Sequence, residues 1–444
     1  MTRYFVGIAL VLAATAAANA QGVDPNNLSV AAFDPDNATA PSSALEGPGI
    51  KIGEGTVLRP VLGIETGYIS NVYYEQSNPQ GAGLLRFVAQ IGASSLSDPR
   101  LAASDGEEDK GSFQYRADLR LSYDLLYAGN QAVSSSVNDT GGFGVGASLH
   151  GLANPMGRLS FGIDEDFLRL IRAANFETNT NTNRDINTLQ LKLLYHPADH
   201  SVGGYLYYVN TLDIFERSSQ QFADRMFNRL GIHPTWQWLP KTQIYADVSE
   251  GIVSSVGSAS NGAPAKASSY PLTAIAGLAT LFTIKTTVNV YGGYTNGFYS
   301  SGPNFSAPLI GASLGYRYSP LGRVTLQYNL AYQDSINANY YRDHIIQLAL
   351  QQVVSPVVLL VQPEVHFREY QGVNVVQGSP TRDDVIFAVV AGVHYNLRNW
   401  LSVGLNYRFS TVQTNYRYMP IGGGVTNDPS YVRHEILLGV RAAL

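Results

Sequence analysis

Trp400-Leu-Ser-Val-Gly-Leu-Asn-Tyr-Arg-Phe-Ser-Thr411 carries the reading of the whole chain. Leu401, Val403, Leu405, Tyr407 and Phe409 fall on one side of an extended strand; Ser402, Gly404, Asn406, Arg408 and Ser410 fall on the other. Side chains of a strand alternate with period two, so this segment has one apolar and one polar face. Further segments of the same kind recur along almost the whole chain, with no helical pattern to cover a sheet. Each is about ten residues or more, the length a tilted strand needs to cross a bilayer. The pattern predicts an all-β fold: a transmembrane, antiparallel, up-and-down β-barrel with apolar side chains towards lipid and polar ones towards an aqueous interior.

Composition agrees. Only 14% of residues are charged, against about a quarter in soluble proteins, while the chain holds 28 Tyr and 43 Gly. Aromatic residues girdle the membrane interfaces of barrels, and glycine relieves crowding in curved sheets. The net charge of −5 offers no basic footprint for nucleic acid. With no cysteine, disulfides, thiolate metal sites, a Cys nucleophile and an acylated lipoprotein anchor are all excluded.

Met1 to Ala20 reads as a secretory signal peptide, with Arg3 as its positive end, an apolar stretch from Phe5 to Ala17, and the cleavage signature Ala18-Asn19-Ala20. Residues 21–56 read as a flexible periplasmic segment, and 57–444 as the barrel. Short turns at Asn154-Pro155-Met156-Gly157, Leu239-Pro240-Lys241-Thr242 and Ser319-Pro320-Leu321-Gly322 alternate with looser links such as Ser254 to Ser269 and Asn415 to Ser430. Short periplasmic turns and longer outer loops make this alternation, and counting strands between them gives about 18, with 16 as the alternative. The link from Ser95 to Ser112, with its acidic run Asp105 to Asp109, is long where a short turn is expected; it reads as a solvated charged loop. No long apolar loop that would fold inward as a constriction is evident.

A charge facing lipid near the midplane costs roughly 2–4 kcal/mol, so charged alternate positions are expected to line the interior. On the early strands these are Arg116, Asp118, Arg120, Asp164, Asp166 and Lys192. The middle strands supply Arg229, Asp247, Arg317, Gln327 and Asn329, and the later ones Glu364, His366, Arg368, His394, Asn406 and Arg408. The closing strand adds Arg433, Glu435 and Arg441. Both signs occur, mixed with amides and hydroxyls, which suits hydroxylated solutes and commits to no ion sign. Any one of these residues is sufficiently explained as keeping the lumen wet.

Catalytic and metal signals are weak. The histidines are dispersed and no His-Glu-x-x-His arrangement exists. In Asp164-Glu165-Asp166 the middle carboxylate alternates to the opposite face and the run is placed towards a strand end, an interfacial charge cluster. Gly422 to Gly424 has no following helix and is no phosphate cradle. Neither an enzyme nor a cofactor is expected.

Gly67-Tyr68-Ile69-Ser70-Asn71-Val72-Tyr73, at the end of the first strand, resembles the Gly-Tyr-x-x-Asn-Val-aromatic sequence near the start of outer-membrane β-barrel porins associated with bacterial exopolysaccharide secretion. The matching positions are Gly67, Tyr68, Asn71, Val72 and Tyr73. The resemblance extends to the overall plan of signal peptide, lead-in and single barrel. It implies an outer-membrane pore for an exported polysaccharide, partnered by a periplasmic export protein and inserted by the barrel-assembly machinery. Such chains commonly end in an aromatic residue, whereas this one ends in Leu444, which keeps the apolar register of Ile436, Leu438 and Val440. The alternative reading from the same polar lumen is a diffusive or substrate-selective uptake porin for small solutes.

Overall fold

The computed structural model describes residues 49–52, 55–95, 112–129, 137–138, 140–171, 183–197, 201–259, 265–336, 338–373, 381–417 and 428–444. The expected signal peptide, most of the lead-in, the acidic run and Gly422 to Gly424 lie outside these residues. The strands are β1 (Ile50–Ile52), β2 (Thr56–Ile69), β3 (Ala82–Ser94), β4 (Phe113–Tyr127), β5 (Gly142–Ala153), β6 (Leu159–Leu170) and β7 (Arg184–Tyr195). There follow β8 (Val202–Phe215), β9 (Arg225–Leu239), β10 (Thr242–Ser255), β11 (Leu272–Thr283), β12 (Thr286–Asn296) and β13 (Ser306–Ser319). The last six are β14 (Gly322–Asp334), β15 (Tyr340–Val354), β16 (Val357–Gln371), β17 (Thr381–Arg398), β18 (Leu401–Thr414) and β19 (Tyr431–Ala443).

All 19 belong to one sheet, and every pairing is antiparallel between neighbours in sequence, except that β19 returns to β2. β1 pairs with β2 alone, which leaves 18 strands in the closed ring. At the seam Ala443 lies opposite Val61, and β1 covers the rest of that edge of β2 through Ile50–Leu58 and Ile52–Thr56. Covering the edge matters, because unpaired N–H and C=O groups have no water to bond within a bilayer.

Apolar side chains fall on the outer face as the alternation requires: Leu62, Ile64, Leu230, Leu326, Leu405 and Leu438 are exposed, while Glu65, Arg229, Asn329, Asn406 and Glu435 on the opposite parity are buried. Exposed Tyr68, Tyr123, Tyr127 and Tyr294 ring one end of the belt, and Tyr195, Trp236, Tyr316, Tyr395 and Trp400 the other. Aromatic side chains at both rims mark the two membrane interfaces. Connections at the second end are tight (residues 240–241, 284–285, 320–321, 355–356 and 399–400); those at the first include 70–81, 256–271, 297–305 and 415–430. Short turns on one side and long loops on the other define the periplasmic and outer ends.

One local expectation fails. Asp164-Glu165-Asp166 lies in the middle of β6, not towards its end. Glu165 does point outward, where it accepts a hydrogen bond from Asn187 Nδ2 on β7 at 2.6 Å; the amide offsets part of the cost of a carboxylate on that face.

Candidate functional site

The inner wall divides into a half dominated by ion pairs across neighbouring strands and a half dominated by tyrosines, with fewer charges among them. From β15 round through the seam to β4, inward-facing charges pair across neighbouring strands. On β15 and β16, Asp343 Oδ2 accepts from Arg368 Nη2 at 2.7 Å and lies 2.9 Å from His366 Nδ1. His366 Nε2 lies 3.1 Å from Glu364 Oε1, so both ring nitrogens face carboxylates. The Arg368 guanidinium also stacks 4.1 Å from the centre of the Tyr341 ring. A second chain crosses the seam: Arg441 Nη2 donates to Glu65 Oε1 at 2.8 Å, Glu65 lies 3.6 Å from Arg86, and Arg86 grips both oxygens of Asp124 at 2.7 and 3.0 Å.

Other pairs sit two residues apart on one strand face, as Arg382–Asp384 and Arg433–Glu435 do. That spacing is legible in sequence as Arg-x-acid on a strand. Glu65, Arg86, Asp124 and Asp343 are inward charges that the alternation permits but that were not among the expected lining residues. The cross-strand register, and not strand parity alone, shows that they complete the network.

On the opposite side, from β8 to β14, tyrosines repeat one construction three times. Tyr207 Oη on β8 donates to Asp247 on β10 at 2.9 Å, Tyr245 on β10 donates to Asn289 on β12 at 2.9 Å, and Tyr291 on β12 donates to Asn329 on β14 at 3.1 Å. Each ring crosses the intervening strand over a glycine. A Cβ added to Gly231, Gly277 or Gly311 would lie 2.3, 2.3 or 2.2 Å from the ring above it. His233 stacks between Tyr205 and Tyr245, with ring centres 4.8 and 5.5 Å away, and its Nδ1 is 3.1 Å from Asp247. Tyr245→Phe keeps the ring and deletes one hydrogen bond, an expected loss of about 1 kcal/mol. Gly277→Val evicts the ring and is expected to cost roughly 1–3 kcal/mol. Urea midpoints of the folded species on unheated gels check both, in that order of severity.

The other lining candidates spread along the wall. Between mid-strand and the turn end Arg116, Asp118, Lys192 and Asp164 keep side-chain exposures of 53%, 21%, 28% and 24%. Arg116 pairs with Asp118 at 2.6 Å, and Lys192 and His150 both reach Asp164 at 2.8 Å. Arg317 is exposed, and Arg120 and Gln327 are half-buried. His394 and Asn406, inward on β17 and β18, are buried; each flanks a glycine of the other's strand, Gly404 and Gly392. Arg229 lies over the Phe227 and Tyr207 rings, and Arg408 is buried opposite Glu435. The most exposed of these lining charges thus lie towards the turn end, while packed loop segments lie at the loop end.

Two loop assemblies make that packing. Residues 70–81 turn inward after β2. Tyr74 is buried against Ile386, Ala388, Val412 and Tyr431, inner-wall residues of β17, β18 and β19. Its ring meets Tyr431 edge-on at 5.0 Å and lies 4.5 Å from the Arg433 guanidinium. Asn71 fixes the bend: its Nδ2 donates to Val432 O at 3.1 Å and Glu75 O at 2.7 Å, and its Oδ1 accepts from Glu75 N at 3.0 Å. The sequence shows no long apolar loop that would fold inward; this short strap turns inward instead, and its Val72 and Tyr73 read in sequence as the end of the first strand. Of the other motif residues, Tyr68 faces outward, and Gly67 sits on the seam opposite Leu437.

The second assembly converges on Asp334, the last residue of β14. Arg225, the first residue of β9, bonds to it, Lys266 lies 3.2 Å away, and Tyr299 Oη donates to it at 3.2 Å. Lys266 Nζ also donates to the backbone carbonyls of Ser335 and, at 2.9 Å, Ala338. Burial and the adjacent Asp334 carboxylate push the Tyr299 phenol well above its usual range.

A closed ring of 18 strands with an apolar outer belt, aromatic rims and a polar inner wall is a transmembrane β-barrel pore of the bacterial outer-membrane class. No family model and no curated protein matches the chain. Among solved structures, it is similar to Pseudomonas aeruginosa OpdK with vanillate at 9% identity and a TM-score of 0.44, over 87% of this chain and 99% of that one. P. aeruginosa OccK2 (OpdF) in complex with glucuronate aligns at 9% identity and a TM-score of 0.43, over 87% and 98%. P. aeruginosa OpdO aligns at 10% and 0.44, over 87% and 97%. Among the described residues no group of His, Cys, Asp and Glu is arranged to hold a metal ion, and no helix is long and apolar enough to cross a membrane.

Proposed function

We propose that this protein is a diffusive, substrate-selective uptake porin for small polar solutes, its lumen lined by the inward residues named above. The observation that carries this reading is the contact between Arg225 and Asp334. Their strands stand five places apart in the ring, so a side-chain bond between them closes off that sector of the outer mouth. With the Tyr74 strap on the far wall, the outer half passes compact solutes and stops a polymer. Towards the turn end the wall carries exposed charges of both signs.

The polysaccharide-exit reading rests on the first-strand motif. In this chain Gly67 and Asn71 have a mechanical task at the barrel seam, which accounts for them without a glycan. A periplasmic export partner belongs to that reading and not to this one. The test is swelling of liposomes carrying the purified protein. Mono- and disaccharides are expected to enter and a polymeric glycan to be retained; equal entry of the polymer, or no entry of any sugar, refutes the proposal.

A further inference from the structure

A second concave site lies on the outside of the barrel. A cavity of about 510 Å³ is lined by residues at the outer ends of β15, β16, β17 and β18. Strand parity places Arg342, Phe367, Glu369, Asp383 and Val385 on the lipid-facing side, since Phe367 and Val385 share it with exposed Ile346 and Val393. The register lines them up in two rows. Arg342, Glu369 and Asp383 are consecutive cross-strand partners, extended by Asn415, whose Nδ2 donates to Asp383 Oδ2 at 3.1 Å. The row beneath runs His344, Phe367, Val385 and Gln413. Below that, Ile346, Val365 and Phe387 continue the apolar belt.

The boundary between polar rim and hydrocarbon belt therefore passes through the cavity, and an occupant that satisfies both parts is amphiphilic. On the outer face its head meets one guanidinium already paired with Glu369, two carboxylates and two amides; Arg368 and Asp384, also in the lining, face inward and are tied to Asp343 and Arg382. That surplus of acceptors disfavours a bare phosphate and matches a polyol, which donates as well as accepts. We propose that this cavity binds the saccharide headgroup of an outer-leaflet glycolipid, with the acyl chains running down over Phe367 and Val385. The site stands outside the lumen and is independent of what the pore transports.

Native mass spectrometry of the protein in an amine-oxide detergent tests it. Dodecyl maltoside and dodecylphosphocholine, added at equal sub-micellar concentration, serve as saccharide- and phosphate-headed probes. Wild type is expected to retain the maltoside at least tenfold better than the phosphocholine. Asp383→Ala combined with Phe367→Ala is expected to lose that preference, and Phe161→Ala on the distant outer face of β6 to keep it. Unheated gel mobility confirms that each variant is a folded barrel. Equal retention of both probes, preference for the phosphate head, or an undiminished preference in the double variant overturns the proposal.

Discussion

Gly67→Val is expected to prevent the barrel from closing. Gly67 faces inward at the seam, and a Cβ there would lie 1.8 Å from the carbonyl oxygen of Ile436 and 2.9 Å from the Leu437 side chain. The first contact is with backbone, so no rotamer change relieves it. The strands must part where β2 and β19 are paired from Val61–Ala443 to Ile69–Glu435. Ladder groups released there have no partner in the bilayer, and each unsatisfied group costs several kcal/mol. The penalty thus exceeds the roughly 1–3 kcal/mol of an ordinary overpacked core position. Tyr68→Leu, one residue along on the outward face, removes an exposed ring and is expected to assemble normally. The fraction migrating as a compact, heat-modifiable species on unheated gels measures this, and wild-type yield for Gly67→Val would refute the seam argument.

The strands, their number and their sidedness were legible in the sequence because one physical rule governs them: period-two alternation against lipid. The rule fixes which way Arg433, Glu435 and Arg408 point. It says nothing about which neighbour each one meets, because that depends on register across strands remote in sequence. Arg441 and Glu65 illustrate this, meeting only where the ring closes. The rule also stops where the strand stops. Beyond Ile69 the chain leaves the sheet: Tyr74 is buried by packing on β17 to β19, strands more than 300 residues away in sequence, and Val72 by Ile69, Ala82, Leu84 and Leu126 of β2 to β4 together with Val137 and Leu437. The tyrosine ladder was hidden for a similar reason: a Tyr, a Gly and an Asn or Asp form one unit only when three consecutive strands are aligned.

That packing sets the strap against the inner wall at the outer mouth, a place where a change in its docking is expected to alter pore size. Residues 76–79 form its exposed tip; apart from the Ser70 N to His434 O bond at its base, side chains fasten it to the neighbouring strands β17 to β19. Tyr74 supplies the anchor and holds a left-handed backbone, φ 58°, which for a residue with a Cβ costs of order 1–3 kcal/mol and persists only under strong packing. Truncating a buried aromatic side chain loses about 3–5 kcal/mol. In Tyr74→Ala that loss falls on the docking of the strap, because the β2–β3 and β19–β2 ladders do not include Tyr74. At 1.4 kcal/mol per tenfold, the docking equilibrium is expected to shift by ~100-fold or more. The undocked strap widens the outer mouth, so single-channel conductance and the solute size limit in liposomes should both rise while urea stability of the barrel changes little. Tyr74→Phe retains the ring against Tyr431 and Arg433 and is expected to conduct as wild type does. Deleting residues 76–79 separates two sources of restriction: if the tip obstructs the bore directly, conductance rises with Tyr74 still docked, and the size limit moves less than in Tyr74→Ala. Unchanged conductance in Tyr74→Ala would show that the Asp334 assembly on the opposite wall sets the narrowest point without help from the strap.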